Sequence, residues 1–222
     1  MESLNIRINI SPTLYSKDPE SSELGKDIIS KSIEMINELG FEAFTFKKLG
    51  DAIGSNESSV YRYFSNKHNL LIYLANWYWS WMDYKILWHT NNLENPKIKI
   101  KTAIELLSAD IKQDSDFSFI NEILLNKIII TESSKAYHSK DIDIENEKGF
   151  FKTYKQLVQR VSGFILEYNP KFEFPHMLVS TVIEGAHNQR FFAEHLPSLT
   201  DFKEGENNII RFYTELVFNT IK

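Results

Sequence analysis

Ser58, Ser59 and Arg62 lie in the stretch "GSNESSVYRYFSNKHNLL", residues 54–71, among Glu57, Tyr61, Tyr63 and Lys67. On a helix turning about 100° per residue, Val60 and Phe64 share one side. Ser58, Ser59 and Arg62 fall on the other, with Tyr61 and Tyr63 on the flanks. Small hydroxyl side chains at a helix start let the backbone come close to a partner, and a guanidinium one turn later offers donors in a rigid fork. That combination suits the major groove of duplex DNA, where such a fork matches a guanine edge and tyrosine hydroxyls can reach phosphates. Glu57, in the first turn, can accept from a cytosine amino group or simply complement the helix dipole. Lys67 opens the next helix, and Thr45 with Lys47 opens the preceding one, at ends whose free N–H groups favour an anion.

Short helices must hold these side chains. Thr45 is a helix cap before Phe46, Leu49 and Ile53, and Gly54 ends that helix after two turns. Asn56 caps a helix predicted over Glu57 to Phe64, and Asn66 caps a long one beginning "KHNLLIYLANWYWSWMDYKILWH". An earlier helix starts near Asp18 and Pro19, with Ser21 or Ser22 as alternative caps, and stops at Gly40. Three helices in quick succession, the last two joined by a tight turn, make a helix-turn-helix by spacing alone. Further helices are predicted over Pro96 to Lys112, Phe117 to Glu132, Glu145 to Tyr168, Pro175 to Leu196 and Phe202 to Ile221. The fold class is all-α. Residues 1–18 form an arm, mobile or packed down, in which "LNIRINI" alternates like a strand without a partner. Residues 19–71 form the three-helix unit and 72–222 a larger helical body.

Composition narrows the function. The 222 residues are 42% hydrophobic, enough for a sizeable core, and include no cysteine, so disulfides, thiolate metal sites and cysteine nucleophiles are excluded. Net charge is −5, against a whole-chain nucleic-acid field, yet Lys47, Lys48, Arg62 and Lys67 outnumber Asp51 and Glu57 between residues 44 and 70. The first residues lack a secretory pattern and no apolar run is long enough to span a membrane, so a cytoplasmic location is expected. No serine nucleophile elbow, phosphate-binding glycine loop or dinucleotide fingerprint is present, so no enzyme and no cofactor are expected. Glu-x-x-His occurs at Glu173/His176 and Glu184/His187, but Pro175 interrupts the first copy and no further glutamates are marked as ligands; no metal is expected.

Tyr73, Trp77, Trp81, Tyr84 and Trp88 follow one another at spacings of four, four, three and four. Core packing explains such a stripe, but cavities between helices are also apolar with few polar anchors. Trp77, Trp81, Trp88, Phe151, Tyr154 and His187 are therefore candidates for contacting a flat, aromatic or hydrophobic small molecule.

Residues 28–71 resemble the DNA-binding domain of the tetracycline-repressor (TetR) family of bacterial regulators. The resemblance rests on Ile28 and Ile29, "GFEA", Thr45, Leu49, Ala52, Gly54, Val60, Tyr61, Tyr63, Phe64, Lys67 and Leu70. It implies an all-helical homodimer joined through its last two helices, binding a palindromic operator on double-stranded DNA and released by a small effector in the C-terminal domain. It implies Thr45, Lys47, Tyr61, Tyr63 and Lys67 at the DNA backbone or groove edge, and Ser58, Ser59 and Arg62 at bases, with Glu57 within reach of them. Ser55, Gly50 and Asn69 depart from the family pattern and suggest a less stable unit. The rival from another class is a helical small-molecule-binding protein without sequence-specific DNA binding.

Overall fold

The computed structural model describes residues 8, 10–113 and 119–222, and among these every regular element is helical. α1, Glu23–Ala43, is capped by Ser22, whose side chain accepts from the Gly25 N–H. Its buried side carries Ile28, Ile29, Ile33, Met35 and Ile36. Gly40, at φ 75°, breaks it one turn before its end, as the glycine in "ELG" predicted. α2, Phe46–Ala52, and α3, Glu57–Tyr61, follow, and α3 is shorter than the sequence pattern indicates.

α4, Lys67–Thr90, supplies the largest side chains of the core. Leu70, Leu71, Tyr73, Leu74, Trp77, Tyr78, Trp79, Trp81 and Met82 are all buried. Apolar residues on every side mark a helix packed all round rather than one with a single buried stripe. Asn76, buried within it, donates through Nδ2 to the carbonyls of Ile72 (2.8 Å) and Phe150 (2.7 Å), so its polarity is matched.

Two compact units are built on this helix. The first comprises Met1–Ser80 and Ile111–Lys152, and so contains α1 to α3, the first part of α4, α6 (Glu122–Tyr137) and α7 (Ile142–Glu147). The second comprises Trp81–Asp110 and Thr153–Lys222, with α5 (Pro96–Ser108), the rest of α4, α8 (Lys152–Tyr168), α9 (Pro175–His195) and α10 (Asn208–Thr220). Compactness thus groups α6 and α7 with the helix-turn-helix.

The single helix predicted over Glu145 to Tyr168 is two. Gly149 takes φ 80°, and the Phe150 N–H reaches back to the Glu145 carbonyl at 3.0 Å, which closes α7 before α8 begins. The start predicted at Phe117 lies outside the described residues; α6 begins after Asn121, whose side chain accepts from the Leu124 N–H. Most of "LNIRINI" also lies outside them. Where it is described the arm is packed down: Ile8, Ile10 and Leu14 are buried, and the Ser16 N–H donates to the Tyr63 carbonyl at 2.8 Å.

Candidate nucleic-acid interface

Each helix of the helix-turn-helix starts at a side chain that accepts from its own first turn. Thr45 Oγ1 accepts from the Lys48 N–H at 3.2 Å, Asn56 Oδ1 from Ser59 at 2.9 Å, and Asn66 Oδ1 from Asn69 at 2.8 Å. Three of the predicted caps are therefore in place. The Ile53 to Asn56 turn closes with Gly54 at φ 63° and a Ser55 N–H to Gly50 carbonyl bond of 2.8 Å. A Cβ at position 50 would lie 2.8 Å from the Asn56 carbonyl carbon. Gly50 is thus the residue that lets α3 start directly against α2, and it does not mark a weaker unit. Asn69, in the place of a capping glutamate, donates to Ser65 Oγ at 2.8 Å and ties down the same turn by another route.

Val60 and Phe64 are fully buried, as predicted, and the α3 face opposite them is open. Ser58, Tyr61 and Arg62 are exposed, and Tyr61 rests edge-on against Phe46 with ring centroids 5.0 Å apart. Thr45 and Lys47, at the start of α2, are exposed as well. Glu57 is half-buried in the first turn of α3, beside the free N–H groups.

Three residues differ from expectation. Ser59 faces inward: it is 5% exposed, donates to Asn56 Oδ1 at 3.1 Å, and accepts from an Arg62 guanidinium nitrogen at 2.9 Å. Its hydroxyl is satisfied locally, so it orients Arg62 rather than a base. Tyr63 is 2% exposed, and its hydroxyl is bonded to Ser22 Oγ at 2.8 Å and to Lys17 Nζ at 3.1 Å. Burial raises the Tyr63 hydroxyl, but the Ser22 and Lys17 hydrogen bonds, with the charges of Lys17 and Arg62, outweigh it and leave the group below the ordinary tyrosine range. Lys67 is directed back to α1, donating to the carbonyls of Phe41 (2.9 Å), Glu42 (3.0 Å) and Phe44 (3.3 Å) over the Phe41 ring. Its charge closes a helix C-terminus, a favourable place for a cation, and is not held out toward a phosphate. Sequence reasoning missed the bonds of Lys17 and Ser22 to Tyr63, which lies 46 and 41 residues away; no local pattern could have joined them.

The same unit fixes the helix-turn-helix to α6 and α7. Glu132 Oε1 accepts from the Phe41 N–H at 3.1 Å, and Lys135 pairs with Glu132 at 2.7 Å and Glu42 at 3.1 Å. His68 pairs with Glu145 at 2.7 Å.

The small-molecule candidates fall in both units. Trp77 and Phe151 are buried in the first unit, whereas Trp81, Trp88, Tyr154 and His187 belong to the second. Trp88 is 68% exposed, because the stripe outruns the packing near the end of α4. Tyr154 donates to Glu184 at 3.0 Å, and burial depresses His187 to about 4. The second unit has a small aliphatic hollow of about 10 Å³ lined by Ile100, Ile104, Leu107, Val161, Ile165 and Val182, among others. It also has an open cleft of about 300 Å³ with Phe202, Arg211, Phe212 and Glu215 on its walls. His176 bonds Gln159, and among the described residues no group of three or more histidines and carboxylates is placed to hold a metal.

Capped short helices, a tight turn and an open polar face with a pre-positioned arginine define a DNA-binding helix-turn-helix. Residues 28–74 match the family described as bacterial regulatory proteins, tetR family, so this segment is the DNA-binding domain of that family. No curated protein matches the sequence. The fold is similar to three solved structures. AibR, in complex with isovaleryl coenzyme A and operator DNA, is 12% identical over 85% of this chain and 95% of its own, with a TM-score of 0.56. The fatty acid degradation regulator FadR from Bacillus halodurans is 16% identical over 90% and 95%, with a TM-score of 0.58. The superantigen PfiT is 12% identical over 92% and 98%, with a TM-score of 0.59. At these identities the likeness establishes the fold, and the differing descriptions show that the fold alone does not carry the function. No helix among the described residues is long and apolar enough to cross a membrane.

Proposed function

We propose that this chain is a ligand-responsive transcriptional regulator, most simply a repressor, that binds a palindromic operator as a homodimer. The observation carrying this reading is Arg62, exposed on α3 and braced by Ser59 within a helix-turn-helix of the tetR family. In this reading Arg62 takes a guanine edge, Ser58 lets the α3 backbone approach, and Thr45, Lys47 and Tyr61 hold phosphates on either side. Glu57 lies within reach of a base. Residues 19–71 carry the DNA contacts and 72–222 the effector and dimer contacts, with α4 supplying residues to both parts.

Dimerisation is assigned to α9 and α10. Gly185 admits the Tyr213 hydroxyl where any Cβ would collide with it, so the two helices pack closely as a pair. Met177 and Phe212 on them stay exposed, at 67% and 56%. Two recognition helices on a two-fold axis would read a palindrome.

The effector is a small hydrophobic molecule. AibR is described with isovaleryl coenzyme A and operator DNA, which supports an apolar acyl-type ligand for this chain also. The aliphatic interior of the second unit is the better candidate wall than the tryptophan stripe. Its small hollow holds no more than about one water, so binding would have to spread the helices, which is a means of changing the state of the molecule. Selection of bound sequences from a random duplex pool, followed by a screen for apolar compounds that release them, tests both halves. A specific, salt-dependent complex is expected; binding with no sequence preference would favour a helical small-molecule-binding protein instead.

A further inference from the structure

The arm that precedes α1 carries a lysine whose position is fixed by packing. Leu14 is buried, Tyr15 meets Tyr73 edge-on at 6.1 Å, and the Ser16 N–H is bonded to the Tyr63 carbonyl. Three residues later Pro19 crosses α1 in contact with Gly25, so closely that its backbone leaves no room for a Cβ there. Between these anchors Lys17 is exposed, and its Nζ lies 3.1 Å from the Tyr63 hydroxyl and 5.0 Å from the centre of its ring. The lysine is therefore held one tyrosine side chain away from the residue that follows Arg62.

Among the described residues its charge has no carboxylate partner. The protein has 30 acidic and 25 basic side chains, and Lys26, Lys31, Lys99, Lys101 and Lys135 all pair with carboxylates. Among the described residues Lys17, Lys47 and Arg62 have no carboxylate partner. The nearby acids are engaged: Asp18 caps the turn that follows it through the Glu20 N–H, and Glu23 pairs with Lys26 at 2.7 Å. An exposed lysine braced against a buried tyrosine, with no carboxylate partner among the described residues, presents a positive charge that an anion can complete.

We propose that Lys17 is a further DNA-binding residue, contacting a backbone phosphate at the groove edge beside α3. The proposal rests on the reading of the α3 face as a DNA contact and extends that interface to the arm. A helix in a groove about 12 Å wide has phosphates along both sides, and a cation set off from α3 by a tyrosine's length is placed for one of them. It also gives buried Tyr63 a role: it is a positioning residue that carries Lys17.

Salt dependence separates a phosphate contact from a brace. Binding of the full chain to a 30-base-pair duplex selected from a random pool, and to one of scrambled sequence, is measured from 50 to 200 mM salt for the native protein, Lys17→Gln and Lys17→Arg. Thermal melting of all three confirms folding. Each phosphate neutralised contributes a slope of about 0.9 in log K against log salt. Lys17→Gln is expected to flatten the slope by about that amount per bound protomer on both duplexes, and Lys17→Arg to restore it. An unchanged slope in Lys17→Gln, with or without weaker binding, would make Lys17 a brace only and overturn the proposal. Failure of the native chain to bind either duplex would overturn the regulatory reading and this contact together.

Discussion

In the helix-turn-helix a small core of Phe46, Leu49, Val60 and Phe64 is supplemented by directional hydrogen bonds: Thr45, Asn56 and Asn66 to helix starts, Ser59 to Arg62, Lys67 to carbonyls at the end of α1. In the second unit the corresponding work falls to aliphatic side chains of α5, α8, α9 and α10 around a small hollow, with ion pairs such as Arg160 to Asp83 outside it. The difference follows from what each region has to present. Helices of seven and five residues cannot bury enough apolar surface to hold themselves, and their outer face must stay polar, so directional bonds fix them to a single geometry. Non-directional packing holds the second unit without fixing single bonds, which is compatible with the rearrangement that the proposed ligand would require.

The sharpest way to test this contrast is to remove one methyl-rich side chain. Ile104→Ala should cost about 2–5 kcal/mol in urea unfolding, while the DNA affinity of the folded fraction stays within about twofold if the two regions are stabilised separately. Acid should act on the second unit next. His187 is buried and depressed from an ordinary value of 6.5 to about 4. Because the folded state disfavours its charged form, its contribution is complete above pH 6.5 and is lost as the pH falls toward 4, on the order of 3 kcal/mol in all. Melting of His187→Gln should lose that part of the pH dependence; an unchanged acid limb would assign it elsewhere. In the helix-turn-helix the prediction is one of recognition. Arg62→Ala should remove about 1–3 kcal/mol of discrimination at one base position, measured on matched and single-substituted duplexes, with melting unchanged. An equal loss on every sequence would make Arg62 a phosphate contact. Smallest is Asn56→Ala, expected to cost about 1 kcal/mol of stability and to weaken binding by loosening α3. A purely local effect on melting without weaker DNA binding would break the link between cap and presentation.

The same contrast explains what could be seen in the sequence. Caps and glycine stops are rules over three or four residues, so Thr45, Asn56, Asn66, Gly40 and Gly54 were all legible, and with them the helix-turn-helix. Val60 and Phe64 followed from periodicity alone. Ser59 and Tyr63 did not, because helical phase assigns a direction to a side chain without saying what waits there. Ser59 turns to its own cap, and the partners of Tyr63 come from the arm and the cap of α1, more than forty residues earlier. Lys67 had a convincing local setting at a helix start but found three carbonyls of α1 instead. In the body, period cannot show that packing stops before Trp88, and the aliphatic positions that line the small hollow are too ordinary in type to stand out. Gly50 shows the reverse error: departure from a family's usual residue suggested weakness where the close approach of two helices requires it.

The uneven placement of the four tryptophans also gives the molecule an optical asymmetry. Trp77, Trp79 and Trp81 are sealed from solvent, and Trp88 stands 68% exposed. Emission from the first three reports an apolar interior, while Trp88 contributes a red-shifted component open to collisional quenchers. Replacing Trp88 with phenylalanine would leave a chain whose fluorescence comes from the interior of α4 alone, so that loosening of that helix on binding an effector or an operator could be followed with no added label.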